Sequence, residues 1–82
     1  MSIDLTILKF LRAGGDMLTP ETQLRDDVRL AVSPPPTGGE ISEALGRIEG
    51  AGLALSFRDE MTKAVRWTIT DEGRAQLAKR RL

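Results

Sequence analysis

The sequence predicts an α+β fold in which three helices precede a β-hairpin and a short helix closes the chain. Three observations carry that expectation. Thr37 and Glu40 have the spacing of a capping box, in which each satisfies an amide of the other's helical end. Ile41, Leu45 and Ile48 follow at i, i+4 and i+7, the repeat of one helical face. The period then changes to two: Leu53, Leu55 and Phe57 alternate with Ala54, Ser56 and Arg58, and Val65, Trp67 and Ile69 alternate with Arg66, Thr68 and Thr70. The first-named set of each run is expected to face the core. Asp59-Glu60-Met61-Thr62-Lys63 between the runs is short and mostly polar, as a hairpin turn should be.

The elements follow in order. Ser2 is placed to cap a first helix with Asp4 in its opening turn. Ile3, Ile7, Phe10 and Leu11 form its apolar stripe, and Leu5 and Leu8 make that stripe wider than one packing contact needs. A central helix covered on both sides explains the width; a homodimer through the first helix is the sharper expectation. Gly14 and Gly15 stop the helix, and Met17 and Leu18 suit a short third strand beside the hairpin. Thr19-Pro20-Glu21 then reads as a cap, a proline at the first helical position and an acid. Leu24, Val28 and Ala31 would be the inner face of this second helix, with Arg25, Asp26 and Arg29 outside. Ser33-Pro34-Pro35-Pro36 ends it, because a residue before proline avoids the helical region. The prolines make a stiff, extended spacer rather than a recognition motif. Gly50 or Gly52 can end the third helix in the left-handed conformation. Thr70 caps the last helix, with Asp71 and Glu72 where carboxylates suit the helix dipole. Leu77 and Leu82 are its apolar marks, among Arg74, Lys79, Arg80 and Arg81. No internal repeat appears, and residues 1–82 read as one domain.

Composition narrows the chemistry. The 82 residues lie near the small end of what folds alone. The chain has no cysteine and no histidine, which removes disulfides, thiolate metal sites, the usual general base and the commonest zinc ligand. The compartment's redox state stays open. Asp26-Asp27 diverge on a helix and lack a third ligand. Asp59-Glu60 lacks the glycine and spacing of a calcium loop, and Gly38-Gly39 lacks the lysine of a phosphate loop. No metal, cofactor or enzymatic role is expected. Phe10, Phe57 and Trp67 are the aromatics, and with Phe57 and Trp67 facing inward no base-stacking platform is expected. The N-terminal apolar run is broken by Asp4 and Lys9, so neither signal peptide nor membrane span is expected and the cytoplasm is the default. Twelve Lys and Arg balance twelve Asp and Glu.

Leu45 and Ile48 before Gly52-Leu53, then Arg66-Trp67 and Ile69-Thr70-Asp71-Glu72-Gly73, resemble the winged helix-turn-helix superfamily, most closely the PadR-like and MarR-like bacterial transcriptional regulators. The likeness spans Ile3 to Leu77 and is most specific in its last third. It implies a third helix in the major groove of double-stranded DNA and a β wing on the adjacent phosphates. Carried over, Thr37, Ser42, Glu43 and Arg47 belong to the DNA face with Gly38 and Gly46, and Arg58, Lys63 and Arg66 belong to the wing. The chain departs from that pattern in charge. Glu40, Glu43 and Glu49 outnumber Arg47 on the third helix, and Glu43 precedes Arg47 at the spacing of a helical ion pair. A winged-helix protein-interaction module without DNA binding is therefore the alternative, with the acidic third helix or the first helix facing the partner.

Overall fold

The computed structural model describes residues 2–80. Its elements are α1 (Ile3–Ala13), β1 (Thr19–Pro20), α2 (Glu21–Ala31), α3 (Gly38–Gly50), β2 (Ala54–Arg58), β3 (Val65–Ile69) and α4 (Asp71–Lys79). The three strands form one antiparallel sheet in the order β1-β3-β2. This is the expected winged helix-turn-helix: three helices, a three-stranded wing sheet and a short closing helix.

α1 lies at the centre, touching α2, α3, α4 and β3. Ile7, Leu8 and Leu11 are buried in the core and Ile3, Leu5 and Phe10 pack partly against it, so covering on several sides accounts for most of the wide stripe. Leu24 and Val28 of α2, Ile41, Ala44, Leu45 and Ile48 of α3, and Leu77 of α4 complete the helical core. α3 begins with the expected capping box: Thr37 Oγ1 accepts from the Glu40 amide at 3.1 Å, and Glu40 Oε1 accepts from the Thr37 amide at 2.9 Å. Gly52, at φ +76°, supplies the left-handed residue just past its end.

Several local expectations are corrected. The third strand falls on Thr19–Pro20, pairing with Trp67 and Arg66, and not on Met17 and Leu18, which are exposed. With Thr19 held in that ladder, Pro20 becomes the N-cap of α2, and no side-chain cap forms. Ser2 likewise caps α1 through its carbonyl, which accepts from the Thr6 amide and hydroxyl, and not through its side chain. Ala31 is exposed rather than inward.

The phase of β2 is also reversed. Ala54 is buried and faces Ile69, Ser56 faces Trp67, and Leu55 and Phe57 stand half exposed on the outer face of the sheet. Trp67 and Ile69 already fill the space beneath the sheet, so small residues must oppose them on β2. Alternation sets the period of a strand but leaves open which face is buried. Leu82 and Arg81 lie outside the described residues.

The closing helix is seated by backbone approach. Thr70 Oγ1 accepts from the Gly73 amide at 3.0 Å and donates to the Gly52 carbonyl at 2.7 Å, while the Thr70 amide donates to the Leu53 carbonyl at 3.1 Å. A Cβ on Gly73 would lie 2.2 Å from that Leu53 oxygen. Threonine and glycine three residues apart thus lock α4 onto the entry to β2.

Candidate nucleic-acid interface

The helix-turn-helix pair α2–α3 and the β2–β3 hairpin carry the sequence-predicted residues, with Arg58 on the sheet face of Val65 and Arg66 on the opposite face beside Phe57. With Ile41, Ala44, Leu45 and Ile48 turned inward, helical geometry at about 3.6 residues per turn puts Gly39, Glu43, Gly46 and Gly50 on the outermost line of α3. No atom lies within 4 Å of where a Cβ would stand on Gly46 or Gly50. The exposed spine of the helix is therefore bare backbone interrupted by one carboxylate, that of Glu43, which makes no hydrogen bond or ion pair among the described residues.

The residues flanking that spine are mostly engaged. Thr37 and Glu40 satisfy each other in the capping box. Glu49 accepts from both the amide (3.2 Å) and the hydroxyl of Ser56, tying the end of α3 to β2. Arg47 forms a two-pronged pair with Asp4 of α1, at 2.8 and 3.1 Å, in place of the expected pairing with Glu43. The hydrogen bonds to Asp4, with added Coulombic attraction from Asp4 and Glu43, push the Arg47 pKa up. A planar guanidinium meeting both oxygens of a carboxylate from another element outcompetes a one-turn neighbour on its own exposed helix.

Ser42 is held by a residue that sequence reasoning left in solvent. Arg25 of α2 donates to Ser42 Oγ at 2.7 Å, to the Gly38 carbonyl at 3.2 Å and to Glu21 Oε2 at 3.1 Å. Glu21 also accepts from the buried Trp67 indole at 2.8 Å. This chain of contacts joins β3, α2 and the first turn of α3. Arg29 reaches the same turn, since a Cβ on Gly38 would lie 3.5 Å from its Nη2. The i, i+4 spacing of Glu21 and Arg25 was readable in the sequence; their partners on β3 and α3 were not.

The wing supplies cations. Arg58, Lys63 and Arg66 are exposed and make no ion pair among the described residues. Their turn is ordered by Asp59, whose Oδ1 accepts from the amides of Met61 (2.8 Å) and Thr62 (3.1 Å). Those amides, Thr62 first, hold the Asp59 carboxyl below the usual carboxylate range, and the charge of Arg66 adds to the effect. Lys63 takes the left-handed conformation at φ 63° that closes the turn. Phe57 stands opposite Arg66 on the outer face, so the expectation of an inward Phe57 is withdrawn.

Among the described residues no group of three or more acidic side chains could hold a metal ion, and no helix is long and apolar enough to cross a membrane.

No protein-family model matches the chain, and no curated protein matches it. Among solved structures, the fold is similar to that of a transcriptional regulator from Clostridium thermocellum, Cth-833. The TM-score is 0.80 over 95% of this chain and 75% of that one, at 21% identity. At that identity the likeness is one of fold.

Proposed function

We propose that the chain is a winged-helix transcriptional regulator that binds double-stranded DNA in the cytoplasm, of the PadR-like or MarR-like kind and without enzymatic activity. One observation carries the reading. Glu40 and Glu49 of α3 are bound into the fold, whereas Arg58, Lys63 and Arg66 of the wing are exposed and unpaired. The carboxylates of Glu40 and Glu49 keep their charge but are held by partners within the fold, so Glu43 is the acid of α3 without a hydrogen bond among the described residues. A glutamate at a groove floor accepts a hydrogen bond from the cytosine amino group, and the bare backbone of Gly39, Gly46 and Gly50 lets the helix approach base edges closely. The wing cations, with Arg29 at the first turn of α3, would supply phosphate contacts on either side. We read the regulator as acting in pairs.

Leu55 and Phe57, half exposed side by side on the outer face of the wing, favour a second reading: a winged helix that docks a protein. Titration of labelled duplex DNA at low and physiological salt separates the two. For a regulator, log K falls linearly with log salt, and each of Arg58→Ala, Lys63→Ala and Arg66→Ala flattens the slope by about 0.9. Asp4→Asn, which frees Arg47, steepens it by a similar amount. Absence of duplex binding even at low salt removes the regulator and leaves the docking module.

A further inference from the structure

An antiparallel sheet with one face on the core and the other in water commonly turns polar residues outward. The outer face of this one departs from that pattern. β2 points Leu55 and Phe57 outward, 48% and 49% exposed. Thr68 and Arg66 lie opposite them on β3, and Pro20 of β1 pairs with Arg66 from the other side. Leu18, 42% exposed, alternates with Thr19 onto the same side just before β1 begins. Apolar surface thus extends over all three strands with Arg66 at its centre, and Arg66 makes no ion pair among the described residues. A contiguous exposed apolar patch marks an interaction surface.

Neither edge of the sheet suits an added strand. On β2 the Ser56 amide is already taken by the Glu49 carboxylate. β1 is two residues long and includes Pro20, which has no amide to donate. A partner therefore lies across the face. Three strands spaced about 4.8 Å apart present a surface about 10 Å wide, the diameter of one α-helix. Charge selects the chemistry of that helix. Two copies of this face packed together would set Arg66 against Arg66, so the same face of a second chain is a poor occupant. Apolar side chains over Leu18, Leu55 and Phe57, with a carboxylate to meet Arg66, complete the surface instead.

We propose that the outer face of the wing docks an amphipathic acidic helix of another protein, with its apolar stripe on Leu18, Leu55 and Phe57 and a carboxylate beside that stripe paired with Arg66. The inference rests on the docking reading of the wing and names its partner; it holds whether or not the chain binds DNA. Apolar burial supplies the affinity, and Arg66 sets the sign of charge that is accepted.

The test is an NMR titration of the isotope-labelled full chain with two synthetic helical peptides. Both carry leucine at i, i+3, i+4 and i+7; one has glutamate beside the leucine stripe and the other has lysine at the same positions. The glutamate peptide moves the resonances of Leu55, Phe57, Arg66 and Thr68 and binds about tenfold tighter than the lysine peptide. Phe57→Ser weakens that binding about tenfold. Arg66→Glu reverses the preference, so the lysine peptide becomes the tighter ligand. Both positions are exposed, and thermal melting checks that each variant stays folded. Equal binding of the two peptides to the wild-type chain overturns the proposal, as does a preference that survives Arg66→Glu. Binding of the lysine peptide alone on this face overturns the acidic partner and leaves the docking reading standing, whereas no shift of these resonances by either peptide removes both. A single-stranded oligonucleotide that moves the Phe57 and Arg66 resonances where the glutamate peptide does not assigns the face to nucleic acid and overturns the proposal too.

Discussion

The seating of α4 makes a sharp prediction about one methyl group. In Gly73→Ala, the new Cβ would lie 2.2 Å from the Leu53 carbonyl oxygen and 2.7 Å from Ile69 Cγ1. Even a weak C–H···O contact keeps carbon and oxygen about 3.3 Å apart, so something must move by about an ångström. The oxygen is poorly placed to yield, because it accepts from the Thr70 amide at 3.1 Å. Alanine gains roughly 1 kcal/mol of helical propensity over glycine. Overpacking typically costs about 1–3 kcal/mol, occasionally more, and a backbone obstacle belongs at the upper end. The net expectation is a loss of about 2 kcal/mol, or a fall of roughly 8–16 °C in melting temperature for a domain of this size. Gly46→Ala supplies the opposite sign: the position is helical and open, with nothing within 4 Å, so a gain of about 0.5–1 kcal/mol is expected. Urea unfolding followed by Trp67 fluorescence reads both, as midpoints moving in opposite directions at constant slope. A Gly73→Ala variant as stable as the parent would refute the backbone docking of α4, and with it the structural account of the Thr-x-x-Gly motif.

Two further outcomes follow from the site. Glu21→Ala leaves the buried Trp67 indole N–H without its acceptor and removes the Glu21 partner of Arg25, so stability should drop by about 1–3 kcal/mol. A red shift of the tryptophan emission would accompany it, and an unchanged melting curve would show that the indole is not held there. Asp59, whose carboxyl is held below its ordinary range in the folded chain, contributes stability that is complete above its unfolded pKa. That contribution is lost as pH falls through the lower folded value. The Asp59→Ala variant should therefore lose stability near neutral pH and show a shallower acid dependence than the parent, measured as urea midpoints across the acid range.

The parts of the fold that were legible in the sequence are those fixed by local chemistry. The capping box at Thr37 and Glu40, the inward Ile41, Leu45 and Ile48, the left-handed Gly52 and the Thr70 cap all depend on neighbours within a turn or two. So do the two-residue periods of the hairpin. The exposure of Lys63 followed as well, because a short turn between alternating runs must be exposed, whereas the face that Arg58 takes was reversed with the rest of β2.

What only the tertiary structure decided are choices between partners distant in sequence. The alternation of Leu53 to Arg58 is equally compatible with either face inward, and the bulk of Trp67 and Ile69 across the ladder selected Ala54 and Ser56. Arg47 had an acid one turn away on its own helix, yet took Asp4, 43 residues distant, because that carboxylate meets the guanidinium with both oxygens. Arg25 looked like a solvated charge until α3 brought Gly38 and Ser42 beneath it. A cavity of about 360 Å³ lined by Phe10, Ala13 and Ala31 exists because α1 and α2 meet there without filling the space between them. Periodicity and capping are properties of a segment, whereas facing, pairing and cavities are properties of the space between segments, and only packing determines that space.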